Sequence, residues 1–167
     1  MNNIIFIGMP GVGKSTIGVV LAKRLGMQFI DSDLKIQEVE KKLLHEIISE
    51  KGLDGFLEVE NQVNAALEVE NCIIATGGSA VFGKEAMDHF AEIGVIIYLS
   101  LPYDEIEERL GDLTQRGVAL KEGQTLRQLF DYRQPFYEKY AQITVDCHAK
   151  QIREIVSEIA NLVTKER

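Results

Sequence analysis

Gly8-Met9-Pro10-Gly11-Val12-Gly13-Lys14-Ser15 has the spacing G-x-x-x-x-G-K-[ST], a loop whose backbone N–H groups can close around phosphate oxygens. The residues Gly11, Val12 and Gly13 would supply that cradle, and the positive end of a following helix would reinforce it. Lys14 would reach the β- and γ-phosphates, Ser15 could ligate Mg²⁺, and Thr16 would add an α-phosphate contact. This chemistry suits ATP.

Farther along, Asp31-Ser32-Asp33 places two carboxylates at i and i+2, on one side of an extended segment. One could hold the metal's water shell while the other orients or deprotonates an attacking hydroxyl. Asp is also a favoured N-cap, so a helix beginning at Leu34 offers a plainer use for either residue. Thr76-Gly77-Gly78-Ser79 leaves backbone bare and permits close approach of a ligand. Arg109 and Arg116 flank a Gly111-Asp112 turn, and Gly117 and Gly123 loosen the next segment, as in a lid over residues 112–123 that carries cations to phosphates. Arg133 precedes Pro135, where a helix from Thr125 should kink and turn the guanidinium inward.

These groups need a scaffold that brings them to one edge. Residues 4–7, 27–30, 72–75, 95–99 and 143–145 are short apolar or β-branched runs, as expected of buried parallel strands. Helical spacing appears in Ile17, Val20, Leu21 and Leu25, with Gly26 as the stop. It recurs in Ile36, Val39, Leu43 and Ile47, then in Phe56, Val59, Val63 and Leu67, and finally in Ile152, Ile155, Val156, Ile159 and Val163. The expected fold is α/β: a single-domain P-loop three-layer sandwich over residues 1–167, with a five-stranded parallel sheet and helices on both faces. A helical flap near residues 33–61 and the lid would complete it, and ligands would gather at the strand C-termini.

The chain has 167 residues, 46% of them hydrophobic, which suffices for one core without staples, and it carries a net charge of −8. That charge disfavours nucleic acid and anionic membranes as partners. No run approaches the ~18 apolar residues of a membrane span. Cys72 and Cys147 stand far apart and read as reduced thiols, and His45, His89 and His148 show no metal spacing. A cytoplasmic monomer acting on a small hydroxyl compound is expected. The base-reading and switch motifs of glycine-loop GTPases are absent, and the length leaves little room for an ATPase motor.

Taken in order, the motifs resemble those of the shikimate kinase family, within the nucleoside-monophosphate-kinase-like P-loop group. The family's P-loop matches Gly8 to Thr16, its D-x-D matches Asp31 and Asp33, its F-R-x-x-E matches Phe56 to Glu60, and its glycine triplet matches Gly77 to Ser79. Its lid arginine matches Arg116, and its R-x-P-x-Y matches Arg133, Pro135 and Tyr137. The resemblance implies ATP- and Mg²⁺-dependent conversion of shikimate to shikimate 3-phosphate. In that assignment Lys14 and Arg116 stabilise the transferring phosphoryl group, Ser15 and Asp31 support Mg²⁺, and Arg109 lies near the adenine. Asp33 receives the substrate hydroxyls, and Glu60, Gly77, Gly78, Ser79 and Arg133 complete the acceptor pocket.

The acceptor side departs from the pattern. Leu57 stands where the family places the arginine that grips the substrate carboxylate, and no arginine occurs between Leu25 and Glu108. A lysine such as Lys51 would substitute less well. Ser79 replaces a glycine, and Gly117 a proline. Two other readings therefore stand beside a shikimate kinase. One is a diverged kinase for a hydroxyl compound without a carboxylate; the other is a silent nucleotide-binding module.

Overall fold

The structure is a computed structural model that describes residues 2–111, 121 and 123–165. Five strands form the sheet: β1 (Asn3–Ile7), β2 (Gln28–Asp31), β3 (Cys72–Ala75), β4 (Gly94–Ser100) and β5 (Ile143–Asp146). All pair in parallel in the order β2-β3-β1-β4-β5. The central strands are apolar throughout because both faces are covered, so they read as continuous runs rather than alternating ones. Ile5, Phe6, Ile7, Ile73, Ile74 and Ile97 are fully buried.

The helices are α1 (Lys14–Leu25), α2 (Ser32–Glu40), α3 (Leu44–Ala65), α4 (Lys84–Ile93), α5 (Tyr103–Leu110), α6 (Leu126–Tyr140) and α7 (Ile152–Lys165). α1 ends at Gly26 in the left-handed region, the stop expected from sequence. α6 starts with a capping box between Thr125 and Gln128 and continues through Pro135. None of the described helices is long and apolar enough to cross a membrane.

The flap differs from its expected form. The spacing of Ile36, Val39, Leu43 and Ile47 predicts one helix, but α2 stops at Lys41, which adopts φ 56°. Leu43 is extended and opens α3. Val39 and Leu43 are exposed as a result, and Ile36 and Ile47 meet from two different helices in a small apolar cluster with Phe56 and Val59. α3 also begins well before Phe56 and is bent at Gly52 (φ 73°, ψ 175°). The main core lies around the sheet, and this second cluster joins α2 to α3 within the flap.

Candidate active site

The strand order places the C-terminal ends of β1, β2 and β3 side by side, and the motif residues leave the sheet from those ends. The turn after β1 is forced tight. A Cβ at Gly8 (φ 148°) would lie 2.6 Å from the Leu99 carbonyl oxygen, so only glycine fits there. The turn delivers Lys14 to the first position of α1, where its Nζ donates to the carbonyl oxygens of Gly8 (2.7 Å) and Met9 (2.9 Å). Burial lowers the Lys14 pKa to about 7, against the opposing pull of Asp33. A phosphate in the loop would restore the charge.

β2 ends at Asp31, whose two oxygens do different things. Oδ1 caps α2 by accepting from the backbone N–H groups of Asp33 (2.9 Å) and Leu34 (3.4 Å). Oδ2 accepts from the Ser15 hydroxyl at 3.4 Å. The capping reading and the metal reading of Asp31 are thus compatible, because they use opposite faces of one carboxylate. A hydroxyl and a carboxylate oxygen, both hard donors next to a phosphate cradle, have the chemistry that Mg²⁺ takes. Asp33 turns into the cleft, and its pKa is raised by burial and then by Asp31.

After β3, Thr76 anchors the glycine turn by donating its hydroxyl to the Phe6 carbonyl at 2.7 Å. A Cβ on Gly77 would sit 2.7 Å from Asp33 Oδ1, and one on Gly78 would sit 2.7 Å from Arg133 Nη1. Bare backbone is therefore what lets Asp33 and Arg133 approach the same turn. Arg133 is 2% exposed, turned inward from α6 as expected, with its guanidinium over the Phe82 ring at 5.8 Å.

Together these groups line one cleft of about 820 Å³, which holds Pro10, Gly11, Gly13, Lys14, Ser15, Thr16, Asp33, Gly77, Gly78, Ser79 and Arg133. Val12 is buried beneath the loop. Arg109 lies at the loop's outer side, donating to the Gly11 (3.1 Å) and Val12 (3.2 Å) carbonyls. Leu57 is half-buried against the apolar cluster of the flap. Glu60, 2% exposed, accepts from the Ser79 hydroxyl at 2.7 Å. Lys51 pairs with Glu40 at 3.7 Å. Arg116 and most of the expected lid lie outside the described residues.

Sequence reasoning missed the cleft residues contributed by the flap: Gln37, Leu44, His45, Ile48 and Leu53. Their signal is their location between Asp33 and Glu60. A second cleft of about 660 Å³ lies between β2, α2 and the end of α3, and of the motif residues only Asp31 lines it.

The sequence model of the family described as "Shikimate kinase" matches residues 10–164. A shikimate kinase of Bacillus cereus (strain AH187) is 34% identical over 166 residues, covering 99% of this chain and 100% of its own. The solved shikimate kinase from Acinetobacter baumannii in complex with shikimate superposes with a TM-score of 0.90 at 28% identity, over 100% of this chain and 95% of its own. The Aquifex aeolicus shikimate kinase gives a TM-score of 0.83 at 31% identity, over 98% and 97%. With likeness running the full length and the phosphate loop, Asp33 and the buried Arg133 meeting in one cleft, this chain belongs to the shikimate kinase family of ATP-dependent kinases.

Proposed function

We propose that this chain transfers the γ-phosphoryl group of ATP to a hydroxyl of shikimate. The observation that carries the reading is the convergence of Lys14, Asp33 and Arg133 on one cleft. Shikimate presents hydroxyls at one end and a carboxylate at the other, and Asp33 and the buried Arg133 offer groups suited to each.

In this reading the loop amides and Lys14 bind the triphosphate, and Asp33 accepts the proton of the acceptor hydroxyl as its oxygen attacks the γ-phosphorus. The bond to the β–γ bridging oxygen breaks, leaving ADP and a phosphate ester. Ser15 and Asp31 would hold Mg²⁺, which supplies charge neutralisation when bound. Arg109 is assigned to the nucleotide base side, and Arg116 to the developing phosphoryl charge by resemblance. Gly77, Gly78 and Ser79 form the acceptor wall. We assign it as a monomer of the cytoplasm.

ADP release with Mg-ATP and shikimate, with the product identified by mass, tests the reading; no product with shikimate overturns it. Leu57 favours a second reading, a kinase for a hydroxyl compound without a carboxylate, because a hydrogen bond to a charged group is worth about 1.5–3 kcal/mol. Turnover of neutral hydroxyl compounds in place of shikimate would establish it.

A further inference from the structure

Glu60 is the only acidic side chain among the described residues that is fully buried, and nothing in the phosphoryl transfer above uses it. Its Oε1 accepts from Ser79 at 2.7 Å, while its Oε2 is shielded from solvent and has no hydrogen-bond partner. A Cβ on Gly77 would lie 2.7 Å from Asp33 Oδ1 and 3.0 Å from Glu60 Oε2, so the two carboxyl oxygens face the same point over bare backbone. The flap brings no guanidinium to this pair: position 57 is leucine, and Lys51 is engaged with Glu40.

The groups that face Glu60 can be named. Asp33 of α2 opposes its ionisation, Arg133 of α6 favours it, and the Ser79 hydroxyl also favours it. Tyr137 of α6 stays neutral, since burial raises its pKa further. On its own helix the neighbour one turn on is Asn64, 1% exposed and neutral. A buried carboxylate with one neutral donor on one oxygen and a like charge across from the other is stabilised by taking a proton. Burial pushes Glu60 up to about 7.

We propose that Glu60 is a specificity-determining positioning residue of the acceptor pocket: held by Ser79 and facing Asp33 across Gly77, it admits an anionic hydroxyl acceptor when protonated and disfavours it when ionised. This rests on the acceptor reading above. Ser79 supplies the neutral hydrogen bond that keeps the side chain in place in both forms. The acceptor's own negative charge and an ionised Glu60 oppose each other in a low-dielectric pocket, and Arg133 offsets only part of that opposition.

The test is the KM for shikimate between about pH 6 and about pH 8, where a group titrating near neutrality changes form. The wild-type KM for shikimate, measured at saturating ATP so that Lys14 stays charged throughout, should rise roughly tenfold across that range. Glu60→Gln should give a low KM that no longer depends on pH. Leu57→Arg should do the same by supplying a cation. A level wild-type profile, or an undiminished rise in Glu60→Gln, overturns the proposal. A difference-infrared pH titration without acceptor, with Glu60→Gln as the blank, follows the carboxylic acid band directly. If shikimate is not phosphorylated at any pH, the acceptor reading fails and the proposal falls with it; turnover of shikimate with a level KM profile, or with no acid band lost near neutrality, overturns the proposal alone.

Discussion

Tyr137 donates its hydroxyl to the Gly78 carbonyl oxygen at 2.6 Å, tying the helix that carries Arg133 to the glycine turn after β3. Removing the hydroxyl in Tyr137→Phe should cost about 1 kcal/mol of stability, since the tyrosine is buried. It should raise the KM for the acceptor without changing that for ATP. Urea unfolding and steady-state kinetics check both parts.

Gly77→Ala places a methyl group against Asp33 Oδ1 and Glu60 Oε2. The acidic side chains must shift while the backbone of β3 stays paired. The expected result is a native circular dichroism spectrum with kcat/KM reduced roughly tenfold or more, because the base is displaced from the reacting hydroxyl.

Lys14→Met keeps the buried stem of the side chain and removes its charge. Turnover should fall by roughly 10²–10³ with the fold retained, the loss expected for a preorganised group aimed at developing charge. Rapid-quench and steady-state rates of ADP formation measure it.

The two faces of Asp31 can be separated by substitution. Asp31→Asn keeps an acceptor for the Asp33 and Leu34 N–H groups, so stability should hold, while the Mg²⁺ concentration needed for half-maximal rate should increase. Asp31→Ala should show the same metal defect and lose about 1 kcal/mol of stability besides. Metal titrations of rate alongside thermal melts distinguish them.

Glu60 also makes stability depend on pH. Its folded pKa of about 7 lies above the ordinary 4.5, so between those values the folded chain binds the extra proton and the unfolded chain does not. Its contribution is fully present below pH 4.5 and is lost as pH rises through 7, a span of about 3 kcal/mol. Relative to wild type, Glu60→Gln should therefore be more stable under alkaline conditions than under acidic ones. Denaturant unfolding at both ends of the range tests this.

The phosphate loop and all five strands were legible because each depends on local chemistry: a glycine spacing, a buried apolar run. The aspartates were legible as residues but not in geometry: Asp31 caps α2, so Asp33 lies in the first turn of that helix rather than in an extended segment, and Asp33 alone lines the main cleft. The flap was less legible. Ile36, Val39, Leu43 and Ile47 keep helical spacing, yet Lys41 takes a left-handed conformation that no side-chain pattern announces. That break decides which residues face the cleft, so His45, which shows no motif, lines it. Leu57 stands out in the sequence as a departure from the family pattern, but its packing against Ile36, Ile47, Phe56 and Val59 depends on two helices meeting in space.

The bend at Gly52 is set by the backbone alone, since a Cβ there would meet nothing within 4 Å while φ is 73°. Leu44, His45 and Ile48 lie before it, and Phe56 and Glu60 after it. The flap is thereby divided into two helical segments that turn about one glycine, so the aim of Leu44 and Ile48 is set independently of that of Phe56 and Glu60. Side-chain changes on the first segment can reshape the cleft without disturbing the Glu60–Ser79 hydrogen bond on the second.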